Sequence, residues 1–148
     1  MERLAFRFRL YLIFEFEVEK MKQKTIFLWA IFFIATAIIL GAFGAHALKK
    51  ALSPESLQSF ETGVKYQMYQ GLGLLILGTM ADRWTFNLKW PVSLLLIGTV
   101  LFSFSIYGLA IQEPLGLSLK VLGPITPLGG SLLIIGWIIL GYKIWKSE

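Results

Sequence analysis

Charged residues divide this chain into four apolar runs, and that division restricts its fold more than any other feature. No Asp, Glu, Lys or Arg occurs from Thr25 to Leu48, between Lys65 and Asp82, between Lys89 and Glu113, or between Lys120 and Lys143. A helix needs roughly 20 apolar residues to cross the hydrocarbon of a bilayer. The first, third and fourth runs meet that length. Charged types make up only 16% of the 148 residues, against about a quarter in a soluble domain. So few charges cannot cover a water-facing surface, and the bilayer has to act as solvent. The expected fold is an all-α membrane protein: a four-transmembrane-helix bundle, with spans at about 26–47, 64–81, 90–111 and 122–143.

The second run needs help from upstream. Tyr66 to Ala81 is 16 residues, or about 24 Å of helix against a core of about 30 Å. Ser53 suits an N-cap, Pro54 the first helical position, and Glu55 the positive end of the helix dipole. Leu57, Phe60, Val64 and Met68 then recur at helical spacing on one side. The pattern predicts an amphipathic surface helix that leads into the second span, with Lys65 snorkelling to the interface. Glu61 and Lys65, four apart, have the spacing of a surface ion pair.

Topology follows from loop charge. Four spans put the two ends and the second loop on one side, with Lys20, Lys22, Lys24, Arg83, Lys89, Lys143 and Lys146. The other side has Lys49, Lys50, Lys65 and Lys120. Seven against four places both termini in the cytoplasm. The net charge of +5 reads as loop lysines facing anionic lipid. No soluble region is large enough to hold nucleic acid. The chain has no cysteine, which excludes disulfides, thiolate metal sites and cysteine nucleophiles.

Residues 1–20 stand apart. Phe6, Phe8, Leu10, Leu12, Phe14, Phe16 and Val18 alternate with polar residues, a period that fits a strand. Two readings are open: translation that starts at Met21, which is favoured, or a cytoplasmic arm that pairs with a partner strand. Residues 21–148 form one transmembrane domain. Ala45-His46-Ala47 has the small-x-small form of a signal-peptidase site, but the apolar run before it is longer than such signals use, so retention of the first span is expected.

With this topology, polar side chains within the spans gather in the outer half of the bilayer. The cluster comprises His46, Tyr66, Gln67, Gln70, Ser103, Ser105, Tyr107 and Thr126. Polar groups at depth serve either interhelical hydrogen bonding or a small cavity for a lipid headgroup or solute, and the bonding role is favoured. Small residues suited to close helix approach are Gly41, Gly44 and Ala45 on the first span and Gly129, Gly130 and Gly136 on the fourth. Gly71 and Gly78 repeat at seven on the second. His46 is the only histidine. It caps a helix C-terminus or accepts protons near neutral pH. One histidine without cysteine supplies no ordinary metal ligand set. Ser103 or Ser105 with His46 lacks the third group and elbow of a hydrolase. Trp84, Phe86, Trp90 and Trp145 read as interfacial anchors.

Several separate motifs, in order, resemble a known family. They are Gly41-Ala42-Phe43-Gly44-Ala45-His46; Phe60-Glu61-Thr62-Gly63 followed by Tyr66-Gln67; Leu101-Phe102-Ser103-Phe104-Ser105-Ile106-Tyr107; Thr126-Pro127-Leu128-Gly129-Gly130; and Gly136-Trp137. The chain from Met21 to about Trp145 is similar to the small membrane proteins grouped as domain of unknown function 423. The resemblance implies a four-helix protein of the bacterial plasma (inner) membrane with no established activity, and residues 1–20 lie outside it. Members often have histidine where this chain has Gln70, so a proton-handling histidine pair is incomplete here, while hydrogen bonding survives.

The expected role is a non-enzymatic structural or interaction component of a membrane complex, without cofactor or metal. Its partners would be the lipid bilayer and another membrane protein or further copies of itself. The alternative is a small solute or ion transporter or channel that uses the polar cluster. No ionisable group lies deep in a span, which weighs against a coupled carrier.

Overall fold

The computed structural model describes residues 23–147. The 1–20 segment, with its readings as an arm or as sequence upstream of Met21, lies outside the described residues, as do Lys20 and Lys22.

Every regular element among the described residues is helical. Helix α1 is Gln23–His46, and a 3-10 turn at Leu48–Lys50 follows it. Helix α2 runs Pro54–Met80. A turn at Ala81–Arg83 leads to α3, Lys89–Thr99, which passes through a π-helical turn at Val100–Phe104 into α4, Ser105–Ile111. Helices α3 and α4 together form one rod. After a turn at Lys120–Leu122, α5 spans Ile125–Trp145.

Local chemistry sets these boundaries. The Ser53 hydroxyl accepts from the Ser56 amide at 3.2 Å, and Pro54 opens α2, where a missing N–H costs nothing. Helix α2 continues unbroken past Lys65. The Asn87 side-chain oxygen accepts from the Lys89 amide at 2.7 Å and starts α3. Pro127 lies in the first turn of α5, where its amide would have no intrahelical partner.

Among the described residues, three segments are long and apolar enough to cross a membrane: Gln23–Lys50, Lys89–Ile111 and Lys120–Trp145. Their outward faces are apolar too. Leu28, Ile31, Phe32, Ile38, Ile39, Ile97, Ile134 and Ile138 are all exposed. A soluble monomer does not leave such continuous apolar surface in water.

The helices are joined like a folded strip. Helix α1 packs along α2, α2 packs on the α3–α4 rod, and that rod packs on α5. The antiparallel α1–α2 seam runs the length of α1. A Cβ on Gly44 would touch the Phe60 ring, one on Gly71 would meet Ile34, and one on Gly78 would meet Phe27. Gln23 donates to the Gly78 carbonyl at 2.8 Å at the far end. The core has two parts. Ile26, Ala30, Phe33, Leu74, Leu77, Val92, Leu95, Leu133 and Leu140 fill the half nearer the α2–α3 connection. Phe60, Tyr107 and Ala110 fill the half nearer the α1–α2 connection. Along α2, Gln67 and Gln70 lie between the two.

Candidate functional site: a polar layer at the helix junction

Helix α2 is the least apolar of the long helices and carries the centre of the polar layer. Gln67 and Gln70 are three apart, so they point to adjacent directions around α2 and reach different neighbours.

Gln67 is fully buried. Its amide nitrogen donates to the Phe33 carbonyl at 3.0 Å and to the Thr36 hydroxyl at 2.6 Å, both on α1. Its amide oxygen accepts from the Tyr107 hydroxyl of α4 at 2.9 Å. Both N–H donors and one oxygen lone pair are thereby used, and one side chain ties three helices. The Thr36 hydroxyl in turn donates to the Phe32 carbonyl at 2.6 Å, which fixes its lone pairs toward Gln67.

The Tyr107 ring is held by the same face of α2. It packs against Phe60 with centroids 4.8 Å apart. Gly63 leaves room for its edge, because a Cβ there would stand 2.7 Å from the ring. Phe60, Gly63 and Gln67, at i, i+3 and i+7, thus form a seat for the tyrosine ring and its hydroxyl.

A second seat lies three residues on. Gln70 accepts from the Trp137 indole N–H of α5 at 3.1 Å. A Cβ on Gly73 would stand 2.9 Å from the same indole. A tryptophan at mid-helix must find an acceptor for its N–H, and Gln70 supplies it.

The third contact joins α4 to α5. The Ser105 and Thr126 hydroxyls share a hydrogen bond at 2.7 Å. Here α5 meets the π-helical turn at its closest. A Cβ on Gly129 would lie 2.8 Å from the Phe102 Cα and nearer still to its amide nitrogen. The wide turn and the missing side chain fit together. The Ser103 hydroxyl, in the same turn, is fully buried and has no hydrogen-bond partner among the described residues.

The structure therefore brings Gln67 together with Tyr107, and Ser105 with Thr126, while Gln70 meets Trp137. His46 ends α1, is exposed, and its side chain makes no hydrogen bond among the described residues. Tyr66 is exposed and packs on the Phe102 ring at 4.8 Å. Of the small residues, Gly129 and Gly136 sit at tight contacts, the latter against Leu95. Gly41, Gly44 and Gly130 sit at ordinary contact distance, and Ala45 is exposed. Thr36 and Trp137 belong to the layer although the cluster drawn from the sequence omits them. Both left a signal. Thr36 is a lone hydroxyl in mid-run, and Trp137 is a tryptophan far from either helix end. Among the described residues, no group of three or more His, Cys, Asp or Glu could hold a metal ion.

Much of this layer lies in a segment shared with one protein family. The family described as "Protein of unknown function (DUF423)" matches residues 40–130, a segment that includes both α2 seats, the π-helical turn and Gly129. The chain belongs to this family. It is similar to a UPF0382 membrane protein of Staphylococcus haemolyticus, 45% identical over 106 residues, which covers 72% of this chain and 83% of the relative. A UPF0382 membrane protein of Staphylococcus epidermidis is 44% identical over 104 residues, 70% of this chain and 81% of the relative. One from Staphylococcus saprophyticus is 43% identical over 110 residues, 74% and 88%. No solved structure matches the chain. As a DUF423 member with several apolar helices of spanning length, the chain is an integral membrane protein, and its family has no assigned biochemical activity. Gly136 and Trp137 lie beyond the matched segment, although Trp137 completes the seat at Gln70.

Proposed function

We propose that the chain is a non-enzymatic, four-span component of the bacterial plasma membrane, with both termini cytoplasmic, that presents its apolar outer faces to lipid and to a membrane partner. The observation that carries this reading is the use of the polar layer. Gln67, Gln70, Tyr107, Ser105 and Thr126 are engaged in bonds between helices, which is the chemistry of a stable bundle. His46, the one histidine, stands apart from these bonds.

The antiparallel seam supports α2 as a span. From Phe60 to Met80 it runs beside α1 for 21 residues, about 31 Å of helix, close to the thickness of a hydrocarbon core. The preceding Pro54–Ser59 segment extends past the end of α1 and carries the charged Glu55, as an amphipathic interfacial entry would. Lys65 is exposed one turn beyond Glu61, within snorkelling reach of the interface.

The test is native mass spectrometry after gentle extraction from the host membrane. A partner protein retained at fixed stoichiometry is the expected result; a bare protein from every preparation would remove the reading.

One observation favours a second reading, a small-solute or ion pathway. The Ser103 hydroxyl is buried without a partner at a π-helical turn, and such turns recur at functional positions. Flux into liposomes that exceeds empty vesicles and is lost in Ser103→Ala would support it; traces equal to empty vesicles would exclude it.

A further inference from the structure

A cleft of about 300 Å³ opens between α1 and α3, lined by Trp29, Ser93, Leu96, Ile97, Val100 and Leu101. It is apolar apart from the Ser93 hydroxyl. Its wall on the α3–α4 rod, from Ser93 to Leu101 in the π-helical turn, covers eight residue steps, about 12 Å of helix axis. Both walls belong to segments of spanning length, so the cleft faces hydrocarbon.

A slot of this kind, apolar and facing hydrocarbon, suits a flexible acyl chain. Its mouth supplies the charge that selects the lipid. Lys89 begins α3, is exposed, and precedes Ser93 by four residues and Ile97 by eight. It therefore lies on the cleft's face of α3. Helical side chains lean toward the N-terminus, which carries the ammonium away from the cleft floor to the level of the α2–α3 connection. A cation then stands above an apolar slot, the arrangement complementary to a lipid phosphate above its acyl chain.

We infer that this cleft binds one anionic phospholipid, its acyl chain between Trp29 and the α3 wall and its headgroup phosphate on Lys89. The inference rests on the membrane-bundle reading and is independent of which side faces the cytoplasm. The lipid comes from the leaflet that contains the α2–α3 connection.

The test uses the full chain in detergent, with equimolar phosphatidylglycerol and phosphatidylcholine, and native mass spectrometry as readout. The wild type retains one phosphatidylglycerol in about fivefold preference, which corresponds to roughly 1 kcal/mol for one lysine near an anionic headgroup. Lys89→Gln abolishes the preference, while the control Lys143→Gln on α5 keeps it. Ser93→Phe fills the cleft and lowers retention of both lipids at least tenfold. Ile97→Trp, at an exposed wall position, does the same should Ser93→Phe not fold. Circular dichroism and gel filtration separate loss of the bundle from loss of the lipid. Equal retention of the two lipids by the wild type, an unchanged preference in Lys89→Gln, or undiminished retention in a folded cleft-filled variant overturns the inference.

Discussion

The Tyr107 hydroxyl donates to the Gln67 amide oxygen at 2.9 Å, across forty positions of sequence and between two different helices. The same amide spends its hydrogens on α1. Tyr107 is also packed by ring and edge against Phe60 and Gly63. Position and bonding are therefore set together: the ring places the hydroxyl, and the hydroxyl satisfies the glutamine.

Substitution at this pair should be non-additive. Gln67→Leu leaves the buried Tyr107 hydroxyl without its partner, at about 1–3 kcal/mol. Tyr107→Phe removes one bond, at about 0.6 kcal/mol and at most about 1.7. The double variant should cost less than the two combined, because each single change leaves a polar atom that the other removes. Equilibrium unfolding in mixed micelles of the four proteins measures the coupling. Strict additivity would mean that the bond contributes nothing.

Gly129 is the position where the bundle tolerates least. Gly129→Ala puts a methyl group onto the Phe102 backbone, and backbone does not move aside as a side chain does. A loss of about 1–3 kcal/mol or more is expected from overpacking, with separation of α5 from the α3–α4 rod. Gly141→Ala, which meets nothing within 4 Å, should leave the unfolding midpoint unchanged or slightly raised. Cysteine crosslinking between α4 and α5 reports the separation.

Trp137→Phe keeps an aromatic ring near Gly73 and removes the N–H donated to Gln70. The expected cost is about 0.5–1.5 kcal/mol. Replacing Gln70 by leucine in the wild type should cost more than in the Trp137→Phe background, and unfolding midpoints across that series check it.

His46→Ala should change neither stability nor growth. The side chain is exposed at the end of α1 and makes no hydrogen bond among the described residues, so a change within about 0.5 kcal/mol is expected. A clear growth defect in folded His46→Ala protein would restore the proton-acceptor reading.

Much of the helical layout was legible because charges mark where apolar runs end. The run from Thr25 to Leu48 became α1 at Gln23–His46, and Ser53-Pro54 marked the start of α2. The contacts within the layer were far less legible. In a soluble helix, apolar periodicity shows which face is buried. Here Ile31 and Ile38 face outward while Ile26 and Phe33 face inward, and all four are equally apolar. The pattern therefore carries no facing information. Polar residues and glycines carry it instead, so Gln67, Gln70, Ser105 and Gly129 could be named as candidates. Which of them pair with which could not. Thr36, Trp137 and the π-helical turn depend on how helices meet, and one extra residue in a turn at Val100–Phe104 leaves no mark in composition.

The most direct measurement is cysteine accessibility in intact cells, which the cysteine-free sequence makes simple. Single substitutions at Lys50, Thr85, Ser118 and Ser147 place one thiol in each connection and at the C-terminal end, each at an exposed position. With a membrane-impermeant maleimide, Lys50→Cys and Ser118→Cys should label from outside. Thr85→Cys and Ser147→Cys should label only after permeabilisation. Labelling of Lys50→Cys and Thr85→Cys from the same side would mean that α2 does not cross the bilayer, and would contradict the four-span bundle built on it.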